Sequence, residues 1–146
     1  MSDLHFTGVF PILVTPFTDD EHIDLTSFER VVDFMAQLGV DGVTILGVLG
    51  ESNRLIDAER EALIQTAVAA SNGRIPIVVG TSHPGTHATL RLSQRAEELG
   101  ASAVMITPSN EKVPNEARIF EYFHRVSAGL SIPIVAQDHP ASTGVH

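Results

Sequence analysis

The chain has no cysteine among its 146 residues. Disulfides and thiolate-held metal sites are therefore excluded. It has one lysine, Lys112, and eight scattered arginines, against 18 acidic residues, for a net charge of −9. A phosphate-binding surface needs clustered cations, so no nucleic-acid partner is expected. No apolar run approaches the roughly 20 residues that a helix needs to cross a bilayer, so no membrane partner is expected either. The opening MSDLHFTG has neither the basic n-region nor the apolar h-region of a secretory signal. A cytoplasmic location is the expectation.

What is present is a globular composition, 43% hydrophobic and 18% charged, at a length that suits one domain with a real core. Five apolar runs stand out: VFPILVTPF (9–17), GVTILGV (42–48), IPIVVGT (75–81), AVMITPS (103–109) and IPIVAQD (132–138). They are short, rich in Val and Ile and almost free of polar interruption, as strands buried on both faces must be. Their starts are spaced by 33, 33, 28 and 29 residues, the length of one strand-plus-helix unit.

Helical patterns fill the gaps. In DLTSFERVVDFMAQLG, the residues Leu25, Phe28, Val31, Val32, Met35 and Leu38 form one apolar stripe. Thr26 and Glu29 fit a capping box there, and Gly39 suits the helix end. A second helix is expected after Asp57 as N-cap, closing at Asn72-Gly73. A third spans about 86–99 before Gly100, and a fourth about 115–128 before Gly129. Phe28, Phe34, Phe120 and Phe123 read as residues packing these helices on a sheet. Alternating strand and helix predicts an α/β fold with a parallel sheet. Two architectures fit: a doubly wound five-stranded sheet, or about half of a (β/α)8 barrel, which needs about 250 residues. The open sheet would favour a glycine-rich phosphate turn after its first strand, where TPFTDDEH is acidic and has no glycine.

The strand-end sequences add a resemblance. GVFPILVTPF (8–17), the G-x-x-G-E-S turn Gly47–Ser52, RIPIVVGT (74–81), ITP (106–108) and PIVxxxxPxxTG (133–144) occur in that order. Together they resemble the dihydrodipicolinate synthase and N-acetylneuraminate lyase family over the whole chain. The resemblance implies a (β/α)8 (TIM) barrel, of which residues 1–146 are the first half, from the first strand to the fifth, in a single domain. It implies a homotetramer. It also implies a class I lyase or aldolase that acts on pyruvate or another 2-oxo acid through a lysine Schiff base, without cofactor or metal. The nucleophile would lie on the sixth strand, beyond residue 146, since Lys112 sits in the polar loop SNEKVP. The chain is then expected to be part of a longer protein, inactive alone and not an independent fold, because its outer strands would be open edges.

The turn Gly47, Val48, Leu49, Gly50, Glu51 is the expected substrate-carboxylate site. The family usually has two threonines where this chain has Val48 and Leu49, so the cradle would be made of backbone amides. The family's strand-five tyrosine falls at Gln137, which can donate a hydrogen bond but not act as an acid or base near neutral pH. Asp138 would line the same side. A common arginine falls at Ser142, and a tyrosine pair at Ser109 and Asn110. These departures predict a sibling of dihydrodipicolinate synthase rather than that enzyme. Two other readings are a non-catalytic binder of small acids and a metal-dependent aldolase or hydrolase using Glu51, His83, Asp138 and His139. Otherwise Glu51 caps the entry to the second helix or bonds loop amides. His83 and His87 have the spacing of a helical ligand pair, but Pro84 and Gly85 intervene. The run Asp19-Asp20-Glu21 reads as a solvated turn.

Overall fold

A computed structural model describes residues 6–108 and 115–138. The expected alternation of strand and helix is present. Helix α1 spans Leu25–Leu38, β1 Val43–Ile45, α2 Asp57–Ser71, β2 Ile77–Gly80, α3 Thr86–Glu98, β3 Ala103–Ile106, α4 Glu116–Ser127 and β4 Ile134–Ala136. The strands form one parallel sheet in the order β1-β2-β3-β4. Among the described residues no helix is long and apolar enough to cross a membrane.

The first apolar run differs from its expected form. Residues 9–17 are not a full strand. They lie parallel to β1 through one bridge, Ile12 to Thr44. Leu13 N–H donates to the Thr44 carbonyl and Thr44 N–H to the Pro11 carbonyl, both at 2.8 Å. Pro11 and Pro16 have no N–H to extend this ladder. Beyond Pro16 the chain turns back, with Phe17 bridged antiparallel to Ile23. Asp19, Asp20 and Glu21 are the exposed tip of that turn.

Side chains alternate across the sheet. Val43, Ile45, Ile77, Val79, Val104 and Ile106 face the helices and pack with Phe28, Val32, Leu63 and Val126. On the other face a smaller cluster gathers Val78, Ala103, Met105, Phe10 and Val135. Of the four expected helix-layer phenylalanines, Phe28 is in the core and Phe123 packs against it. Phe34 and Phe120 do not: they are 54% and 69% exposed. Each lies on the outer side of its helix, away from the stripe that meets the sheet.

The caps also depart from expectation. Asp24, not Thr26, caps α1, accepting from Ser27 N–H at 2.9 Å. Gly39 ends α1 in the left-handed region, at φ 77°, where glycine carries no Cβ penalty. Asp57 is the first residue of α2 rather than its cap; Glu59 reaches back to Ile56 N–H at 3.0 Å. Asn115 does cap α4, accepting from Arg118 N–H at 3.1 Å. Salt bridges tie neighbouring helices: Arg74 to Asp33 between the end of α2 and α1, and Arg95 to Glu61 between α3 and α2, both 2.7 Å.

Candidate active site

In a parallel α/β sheet the loops after the strands share one rim, and ligands bind there. Here that rim holds the turn after β1, the segment Thr81–His83 after β2, Thr107 after β3, and Gln137 with Asp138 after β4. Thr107 N–H donates to Ser82 Oγ at 3.0 Å, joining the loops after β2 and β3.

The turn after β1 is tightly built. Gly50 N–H donates to the Gly47 carbonyl and Glu51 N–H to the Val48 carbonyl, both at 3.1 Å. Leu46 and Glu51, at its two ends, both adopt left-handed backbone, at φ 57° and 53°. Such conformations are sparse for residues with a Cβ and cluster at functional sites. Gly47 and Gly50 are buried, whereas Val48 and Leu49 are 69% and 56% exposed at the tip. Among the described residues the Val48 and Leu49 amides make no hydrogen bond. Two adjacent free N–H groups in a fixed turn are suited to a small anion. From beneath, Thr15 Oγ1 donates to the Gly50 carbonyl at 2.7 Å in a buried contact.

Glu51 neither caps α2 nor bonds the loop amides. Its carboxylate pairs with Arg54 at 2.8 Å, across a single 3-10 turn at Ser52–Arg54. The left-handed φ at Glu51 starts that turn and directs the side chain along it. Gln137 is half-buried, and its N–H donates to the Ile106 carbonyl at 2.9 Å. By alternation it follows Val135 onto the smaller apolar face. Asp138 is exposed. The turn and Gln137 thus occupy one rim at opposite edges of the sheet, separated by β2 and β3.

Among the described residues no three His, Asp or Glu side chains are placed to share an ion, and Glu51, His83 and Asp138 stand apart. His83 Nδ1 accepts from Gly85 N–H at 3.0 Å, and α3 starts only at Thr86, so His83 and His87 are not a helical pair. Lys112, Ser109, Asn110, His139 and Ser142 lie outside the described residues. A cleft of about 260 Å³ opens between α2 and α3, but its cations are engaged. Arg60 holds the Ser52 carbonyl at 2.7 Å. Arg91 donates to Gln94, and Arg95 sits between Glu61 and Glu98.

Residues 5–146 match the Dihydrodipicolinate synthetase family. The chain belongs to that family. It is 43% identical over 139 residues to an L-2-keto-3-deoxyarabonate dehydratase of Azospirillum brasilense, covering 92% of this chain and 45% of the relative. Among solved structures it superposes on YagE, a prophage protein of the same family from E. coli K12 in complex with pyruvate. There the TM-score is 0.90 at 31% identity, over 96% of this chain and 47% of that one. A monomeric dihydrodipicolinate synthase variant gives 0.91 at 34%, over 97% and 47%. The fold is thus the first half of the family's TIM barrel, and the chain spans about half the length of the relatives it matches. In a barrel the sheet face away from the helices, here the one with Val78 and Met105, is the interior, and the rim is its C-terminal mouth.

Three rim features escaped the sequence reading: Thr15, Ser82 and Thr107. Thr15 and Thr107 had a signal there, since each lies in one of the strand-end motifs, GVFPILVTPF and ITP.

Proposed function

We propose that this chain is the carboxylate-binding half of a 2-oxo acid lyase whose amine nucleophile lies beyond residue 146. The observation that carries this is the turn Gly47–Glu51. It offers the unpaired Val48 and Leu49 amides at the mouth of a family barrel, with no side-chain hydroxyl at either position. A carboxylate held there would leave C2 of the acid over the apolar interior face around Met105 and Val135. An apolar surround favours the neutral amine that Schiff-base formation needs.

The reaction we favour is elimination from a 2-keto-3-deoxy sugar acid rather than the condensation of dihydrodipicolinate synthase. A lysine amine adds to the C2 carbonyl and expels water. The iminium then acidifies C3–H; loss of that proton with the C4 hydroxyl releases a second water, and hydrolysis of the product imine takes one water back and frees the lysine amine. The dehydratase relative supports this choice, as does Gln137, which can hydrogen-bond a substrate hydroxyl but cannot relay protons. The pyruvate complex of YagE supports a 2-oxo acid as the ligand class. A tetramer is part of the same proposal.

Intact mass after borohydride reduction tests it. The full-length protein incubated with a 2-keto-3-deoxy sugar acid, or with pyruvate, should gain one reduced adduct. No adduct with either acid would overturn the Schiff-base reading and favour a non-catalytic binder.

A further inference from the structure

We propose that Thr15 is a positioning residue that holds the Gly47–Glu51 turn in its anion-receiving shape, an inference that rests on the reading of that turn as the carboxylate site. The Thr15 hydroxyl donates to the Gly50 carbonyl at 2.7 Å across 35 residues of sequence. Thr15 is buried, so water does not compete for the bond. Pro16 follows, and a residue before proline is confined to extended backbone. The hydroxyl is therefore presented from a fixed platform.

The bond acts on the peptide that matters. Fixing the Gly50 carbonyl fixes the plane of the Gly50–Glu51 peptide, whose N–H closes the turn on the Val48 carbonyl. With that contact set, the turn keeps the shape in which the Val48 and Leu49 amides make no hydrogen bond of their own. The turn needs an external hold because Leu46 and Glu51 both sit in left-handed backbone, which persists only when surroundings over-determine it. The fit beneath the turn is close. A Cβ on Gly50 would lie 3.2 Å from the Leu13 carbonyl oxygen, so the same segment that carries Thr15 forms the floor of the cradle.

Thr15→Val keeps the shape and deletes the donor; Thr15→Ser keeps the donor and deletes a methyl. In the full-length protein, Thr15→Val should shift the backbone amide resonances of Val48, Leu49, Gly50 and Glu51. It should also weaken pyruvate binding about tenfold, the loss of one buried hydrogen bond. Thr15→Ser should keep both properties near wild type. If Thr15→Val does not fold, Thr15→Cys, with a weaker donor of similar size, replaces it in the same measurements. The inference is overturned if the valine variant leaves those four resonances unmoved, or if serine fails to restore them. If the wild type itself does not bind pyruvate, the functional reading fails for that acid, while the resonance comparison still decides the role of Thr15.

Discussion

Gly80 ends β2 directly against the carbonyl of Leu46: a Cβ built on Gly80 would stand 2.3 Å from that oxygen and 3.2 Å from the Gly47 nitrogen. The contact is with backbone, so no side chain can swing away to relieve it. The left-handed turn after β1 is thus pressed from β2 on one side and held by Thr15 on the other. Gly80→Ala should destabilise the protein by about 1–3 kcal/mol, the usual range for overpacking. Urea unfolding of the two proteins would measure it. A change of under about 0.5 kcal/mol would mean that the turn yields, and is not the rigid cradle described above.

Two phenylalanines of α1 should respond oppositely to truncation. Phe28 is buried among the sheet-facing residues, whereas Phe34 is 54% exposed. Phe28→Ala should cost about 3–5 kcal/mol, and Phe34→Ala less than about 0.5 kcal/mol. Equal costs in chemical denaturation would show that the outer face of α1 is covered in the protein as it exists in solution.

The contrast marks what the sequence could and could not reveal. The local patterns gave four helices, their glycine and asparagine ends, and a parallel sheet, because buried Val and Ile runs and helix-stop residues are local signals; those patterns leave the order of the strands open between two architectures. The first run kept its apolar character but not its strand, since Pro11 and Pro16 remove the donors a ladder needs. Asp24 outcompeted Thr26 as cap because its carboxylate reaches both Ser27 N–H and Ser27 Oγ. Phe34 reads as helix layer by its residue type, although it lies off the apolar stripe that marks the sheet-facing side of α1. At the site, the glycines of the turn were legible, whereas the contact from Thr15 to Gly50 joins residues far apart in sequence and needed the fold.

Tyr122 gives a pH signature. Burial pushes its phenol above the ordinary tyrosine value, only partly offset by hydrogen bonds with Thr89 Oγ1 at 2.9 Å and the His83 carbonyl at 3.4 Å. The folded state therefore keeps this proton to higher pH than the unfolded chain, which releases it near the ordinary value of about 10. Its contribution is fully present below that pH. Stability then falls as pH rises from there toward the folded value, because the unfolded state binds fewer protons. Tyr122→Phe should cost roughly 1 kcal/mol at neutral pH and flatten the decline above about pH 10. Melting temperatures from pH 8 to 11 would show it, and identical slopes in both proteins would refute the assignment.

The cradle itself predicts an unusual tolerance. If backbone amides hold the carboxylate, the exposed side chains of Val48 and Leu49 matter little. Val48→Ala and Leu49→Ala should keep the affinity for a 2-oxo acid within about threefold, since neither change removes a donor. Gly50→Ala should lose about tenfold or more, because its Cβ would crowd the Leu13 carbonyl and the Leu46 nitrogen at 3.2 Å each and tilt the peptide planes. Pyruvate titrations of the full-length variants by calorimetry provide the comparison. Loss of binding in the two alanine variants, with Gly50→Ala unaffected, would place recognition in the side chains. The apolar tip would then be read as a wall against the substrate rather than as the bystander of an amide site.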